Sequence, residues 1–167
     1  MTTVKPEIAK ADALARFTDP GPDRINCAQA VVRFALLVTG LDPDLVIAAR
    51  HFGGGVARMG EACGAVTGAA LALGLRDYQL PEQGPDQLAL NARHLQDSLR
   101  DFATEFGSRR CIELTGHDLS TPEGYKMFRD SGAHERCAGY VGWVCDRLAP
   151  LLDDTIAGGA YPKRDPS

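Results

Sequence analysis

No run of apolar residues in this chain is long enough to cross a membrane. The longest, Ala62 to Leu75, is interrupted by Thr67 and several glycines and falls short of the roughly 20 residues a spanning helix needs. Membrane insertion is therefore not expected. Strong charge of either sign is also missing: 18 Lys and Arg stand against 22 Asp and Glu, for a formal net charge of -4. Aromatic residues make up only 7% and none lies in a basic run, so a nucleic-acid partner is not expected either. Residues 1–16 mix polar and apolar side chains with no apolar core of the kind a secretory signal carries, which leads to the expectation of a soluble, cytoplasmic protein. No segment alternates apolar and polar residues for long enough to make a convincing strand. There is no Cys-x-x-Cys pair, no Cys-x-x-Cys-His haem-attachment site, and no G-x-G-x-x-G or P-loop spacing.

What is present is helical periodicity. The expected fold class is all-α: a single-domain helical bundle of about five to seven helices over residues 1–167, with its core at about 6–152 and a frayed tail at 153–167. A first helix is expected from about Pro6 to Phe17, before the breaker Asp19-Pro20-Gly21-Pro22. A second is expected from Asp23 to Thr39, with Cys27, Val31, Phe34 and Val38 on one face, and a short one from Leu45 to Arg50. His51-Phe52-Gly53-Gly54-Gly55 cannot continue a helix cheaply and reads as a turn or a close approach of backbone to a ligand. The third main helix is expected over about Glu61 to Leu75, carrying Gly60, Gly64 and Gly68 at four-residue spacing. The fourth, Asp86 to Phe106, has the cleanest stripe: Leu88, Ala92, Leu95, Leu99, Phe102 and Phe106. That seam suits a bundle and could also serve a homodimer. A helical turn at Cys111 to Gly116, a helix opened by Ser120-Thr121-Pro122-Glu123 and ending near Asp130, and a last helix from Ala133 to Leu152 complete the pattern.

Five cysteines remain to be explained. The count is odd, and without an export signal a disulfide framework is less expected than metal binding or thiol chemistry. Cys27, Cys63, Cys111 and Cys137 all fall near helix beginnings, where the helix dipole favours a thiolate, whereas Cys145 sits two turns into a helix and reads as a core residue. Burial acts against the dipole and raises a thiol's pKa. Cys63 is expected to be the most thiolate-like of the four. Their long separations mean that one shared site requires four helix starts to converge. Other polar groups are weaker candidates. His51 could ligate a metal or shuttle protons but is more often a structural hydrogen-bonder. Glu61 suits the helix dipole better than general-base work. Arg58 could steady a thiolate, and His94, His117 and His134 have no zinc-motif spacing.

Three stretches, Asn26-Cys27-Ala28-Gln29-Ala30, Phe52-Gly53-Gly54-Gly55 and Gly60-Glu61-Ala62-Cys63-Gly64-Ala65-Val66-Thr67-Gly68-Ala69, carry a resemblance to the C-GCAxxG-C-C family of redox-active proteins. Cys111 and Cys137 look like its two later cysteines. The resemblance covers about Asp23 to Leu148. In one departure, Ala62 stands directly before the motif cysteine where the family name has glycine. The resemblance implies redox activity. A similar cysteine pattern in a domain of certain multihaem cytochromes accompanies an iron–sulfur centre.

Three functions follow as expectations. The first is thiol/disulfide or electron-transfer chemistry, with Cys63 as the thiolate, Cys27, Cys111 and Cys137 as resolving partners, and an unidentified redox partner. The second is metal binding by the same four cysteines, holding an iron–sulfur cluster or zinc. The third is a non-enzymatic helical interaction module.

Overall fold

The structure, a computed structural model, describes residues 2–79 and 85–152. The fold is all-α. Among the described residues seven α-helices follow in order: α1 (Pro6–Thr18), α2 (Cys27–Thr39), α3 (Gly64–Gln79), α4 (Pro85–Phe106), α5 (Cys111–Thr115), α6 (Pro122–Asp130) and α7 (Ala133–Leu152). A 3-10 helical segment, Pro43–Phe52, lies between α2 and α3 where the sequence suggested a shorter helix at 45–50. Among the described residues the extended backbone pairs only once, in an isolated antiparallel bridge between Ala62 and Arg110. The tail expected at 153–167 lies outside the described residues.

Helix α2 is the axis of the bundle and packs against α1, α3, α7 and the 3-10 segment. Its expected single apolar face is in fact a nearly complete apolar surface. Val31, Phe34 and Val38 join the main core, while Ala28, Val32 and Leu36 form a second cluster with Ala49, packed on by Phe52 and Leu71. A helix that is apolar all round has to be surrounded, and α2 is. Helix α2 begins at Cys27, four residues later than expected from Asp23, because Asn26 rather than Asp23 provides the cap. Helix α3 fits close against α2: a Cβ added at Gly68 would stand 2.9 Å from the Ala28 carbonyl oxygen.

Helix α4 joins the bundle through the C-terminal half of its stripe. Phe102 and Phe106 meet Tyr140 and Trp143 of α7 edge-on, with ring centroids 4.8 to 5.8 Å apart. A third small cluster of Cys111, Leu119, Phe128 and Ala133 brings α5 and α6 over the start of α7. Cys27, Cys111 and Cys137, near the starts of α2, α5 and α7, line one cavity.

Candidate functional site

The Asn26-Cys27-Ala28-Gln29 stretch is a capping box. The Gln29 backbone N–H donates to Asn26 Oδ1 at 3.0 Å, and the Asn26 N–H donates to Gln29 Oε1 at 3.2 Å. Asn26 Nδ2 also donates to the Arg50 carbonyl at 2.9 Å, tying the start of α2 to the 3-10 segment. Cys27 is thereby fixed as the first residue of α2. Cys63 is not inside the first turn of α3, as the sequence suggested, but is the residue before it. Its carbonyl accepts the first helical bonds from Val66 and Thr67 at 2.9 and 3.0 Å. Gly60 likewise lies outside the helix, in the preceding loop.

The motif glycine after Cys63 has a direct steric reason. A Cβ at Gly64 would fall 2.2 Å from Cys27 Sγ, so only glycine lets the sulfur of α2 stand against the start of α3. Gly55 does the same for Cys111: a Cβ there would lie 2.6 Å from Cys111 Cβ and 2.5 Å from the Glu61 nitrogen. The loop that brings these parts together is stitched by backbone bonds. Cys63 N–H donates to the Arg109 carbonyl at 2.8 Å, Cys111 N–H to the Glu61 carbonyl at 2.7 Å, and Glu61 N–H to the Gly55 carbonyl at 3.0 Å.

Leading into that ladder, five consecutive residues adopt left-handed backbone: Gly54 (φ 68°), Gly55 (73°), Val56 (56°), Ala57 (51°) and Arg58 (67°). The triple glycine therefore does open a turn, and the turn carries three residues with a Cβ into a region that normally costs them about 1–2 kcal/mol each. Such strain persists where surrounding contacts over-determine the backbone. Here Ala57 N–H donates to the His51 carbonyl at 2.7 Å and Arg58 N–H to the Gly53 carbonyl at 3.2 Å.

Cys27, Cys63, Cys111 and Cys137 form one interacting group of free thiols. A charge on Cys27 raises the pKa of each of the other three, and Cys63 also feels Cys111 and Cys137. Burial is the larger cause in every case. It pushes Cys63 well above its usual value and Cys111 and Cys137 up to about 12. Cys27 is also raised by burial, but backbone N–H groups of Gly54, Ala28, Cys27 and Gly64 pull it back. The expectation that Cys63 is the most thiolate-like sulfur is thus reversed: desolvation outweighs the helix start there, and Cys27 holds the amide-lined position. Cys145 stands apart, fully buried in the main core, raised to about 12 by desolvation with Lys10 and Asp146 as its charged neighbours.

Three of the four grouped thiols, Cys27, Cys111 and Cys137, line a cavity of about 520 Å³. Cys63 lies outside that lining at 5% exposure. Its lining combines aromatic rings, Phe17, Tyr125 and Phe128, with the basic side chains Arg24, Arg50, Arg58 and His51. Arg58 is laid over the Tyr125 ring, 4.4 Å from its centroid. Glu61 does not line the cavity; it is exposed, 4.0 Å from Arg110, and is not placed for general-base work on these thiols. His134, which has no zinc-motif spacing, does line it, stacked on Phe17 at 4.3 Å. Its Nε2 is buried with no hydrogen-bond partner, and burial pulls its pKa down, helped by the Arg24 charge. The signal for it was present: His134 precedes Cys137 by three residues, which puts both on one face of α7. Among the described residues no three His, Cys, Asp or Glu side chains are gathered closely enough to hold a metal ion.

The family described as "Putative redox-active protein (C_GCAxxG_C_C)" matches residues 25–151, a span that contains all four grouped cysteines and the whole cavity except Phe17 and Arg24. No curated protein and no solved structure matches the chain.

Proposed function

We propose, on the premise that the chain belongs to the C_GCAxxG_C_C family of redox-active proteins, that it performs thiol–disulfide chemistry with Cys27 as the attacking sulfur and Cys63 as its resolving partner. The observation that carries this reading is the contact at Gly64: Cys27 Sγ stands 2.2 Å from where a Cβ would be on the residue next to Cys63. Exchange proceeds through a thiolate, and the surroundings of the four thiols favour one thiolate at a time. Ionised neighbours oppose ionisation of Cys63, Cys111 and Cys137, while Cys27 has backbone amides of Gly54, Ala28, Cys27 and Gly64 around it, against that of Ala65 alone at Cys63, and lines the cavity. Cys111 and Cys137, which share the cavity wall, are the alternative resolving thiols.

The test is thiol counting with disulfide mapping. The fully reduced protein, with five free thiols, is treated with one equivalent of a small disulfide under anaerobic conditions. Loss of two thiols, with a Cys27–Cys63 linkage found by peptide mass spectrometry, is the expected result. Cys27→Ser should slow the reaction by at least about 100-fold, while Cys145→Ala should leave it unchanged. Iron or zinc at one or more equivalents in anaerobically prepared protein, lost together in Cys27→Ser and Cys63→Ser, would overturn the thiol reading in favour of four-sulfur metal binding.

A further inference from the structure

We infer that the cavity beside Cys27 selects anions, and that the substrate of the thiol site is a small organic disulfide bearing carboxylates. The inference rests on the thiol reading for its chemistry and on the cavity for its charge selection. The chain as a whole is acidic, with a formal net charge of -4. The cavity lining is the opposite: among the described residues it contains three arginines and two histidines, and no Asp or Glu. Elsewhere arginines have acidic partners, as in Arg33 with Asp12, Arg110 with Glu113 and Arg147 with Asp101. Arg24, Arg50 and Arg58 have no ion pair with any described residue. Three uncompensated guanidiniums around one concavity attract carboxylates, which they can bind in fork geometry.

Two further observations point to an occupant. The buried Nε2 of His134 has no hydrogen-bond partner within the protein, although it lines the cavity. Buried polar atoms of this kind are seldom left unmet. The volume of about 520 Å³ lies within the range of about 300–1,000 Å³ that suits small molecules, and the rings of Phe17, Tyr125 and Phe128 in the lining offer a surface for the aliphatic part of the ligand. Arg58 is held ready over Tyr125 by the left-handed turn.

The step balances without a further reagent. The Cys27 thiolate attacks one sulfur of the bound disulfide, forming a Cys27–substrate mixed disulfide and releasing the other half as a thiolate, which takes up the proton that Cys27 gave up. The resolving thiol loses its proton and attacks Cys27 Sγ. This forms the protein disulfide and releases the second half as a thiol. Two electrons pass from the two protein thiols to the substrate.

The experiment compares three aliphatic disulfides on the reduced protein at low salt: dithiodiglycolate (dianion), bis(2-hydroxyethyl) disulfide (neutral) and cystamine (dication). The dianion should react about 100-fold faster than the dication. That ratio should fall at least about tenfold in a variant carrying Arg24→Gln, Arg50→Gln and Arg58→Gln. Arg147→Gln, which removes a charge far from the cavity, should leave it unchanged. If all three react through Cys27 with no charge preference, anion selection is overturned and the thiol reading stands. If Cys27→Ser reacts like the parent, the thiol reading falls. Binding of dithiodiglycolate to Cys27→Ser, followed by ligand-observed NMR, then decides charge selection alone. Binding that disappears in the triple arginine variant supports it, and no binding overturns it.

Discussion

Gly64 shows how much a single missing methyl can decide. Its neighbour Cys63 draws attention in the sequence, but the close contact belongs to Cys27, 37 positions earlier in the numbering. Gly64→Ala would set a Cβ 2.2 Å from Cys27 Sγ, far inside any non-bonded contact, so α2 and α3 must part or the sulfur must turn away. Overpacking of this kind costs about 1–3 kcal/mol. The variant should unfold at lower denaturant, and its Cys27 should change in alkylation rate relative to Cys145, both measurable on the same preparation. Val56 offers the opposite sign. It is a β-branched residue at φ 56°, 38% exposed, held in a conformation that its side chain opposes. Val56→Asn keeps the turn and relieves the clash, and should raise stability by about 1 kcal/mol in chemical denaturation. A lower stability would mean that the left-handed turn is not strained. The motif around Cys63 was legible in the sequence, and so was the importance of the triple glycine. The partner of each glycine was not, because a steric contact between α2 and α3 leaves no periodic trace in either.

At the scale of elements, the helices were the most readable part. The expected start of the last helix, Ala133, is the start of α7, which runs to the last described residue, Leu152, and its apolar residues repeat at four and three. The start of α2 was misplaced. Asp23 and Asn26 are both good caps, and what separates them is the reciprocal bond from Gln29 and the reach of Asn26 to the Arg50 carbonyl. Asn26→Ala should therefore cost more than the roughly 1 kcal/mol of an ordinary cap. It loosens the helix start under Cys27 and the 3-10 segment together. Asn26→Asp keeps the oxygen that accepts from Gln29 and loses the donor to Arg50, so it should recover only part of that loss. Denaturation of both variants separates the two contributions; an Asn26→Asp variant as stable as the parent would mean that the Arg50 bond adds nothing. The five-residue left-handed turn could not be read in advance. Gly54 and Gly55 permit it, but Val56, Ala57 and Arg58 adopt it only because backbone bonds to His51 and Gly53 hold them there. The cavity was hidden for the same reason: Arg24, Arg58, Tyr125 and His134 come from four separate parts of the chain.

For the molecule as a whole, the buried thiols and the buried imidazole set a window of pH in which the fold is most stable. The thiols Cys63, Cys111, Cys137 and Cys145 are all pushed above their usual value of 9.0 by burial, so the folded state keeps their protons longer than the unfolded state does. Above about pH 9 the unfolded chain binds fewer protons than the native one, and stability must fall as pH rises. The slope is about 1.4 kcal/mol per pH unit for each thiol that only the folded state still protonates. His134 acts at the other end. Burial and Arg24 lower its pKa below 6.5, so the unfolded state takes up its proton first and stability falls as pH drops below that value. Denaturant midpoints measured across pH should therefore show a plateau from about 6.5 to 9 and a decline on both sides. Cys145→Ala removes one thiol from the core without touching the cavity, and should make the alkaline decline shallower while leaving the acid side as it is. His134→Phe should flatten only the acid side. An alkaline limb that ignores Cys145 would mean that this thiol ionises in the folded core as readily as in water.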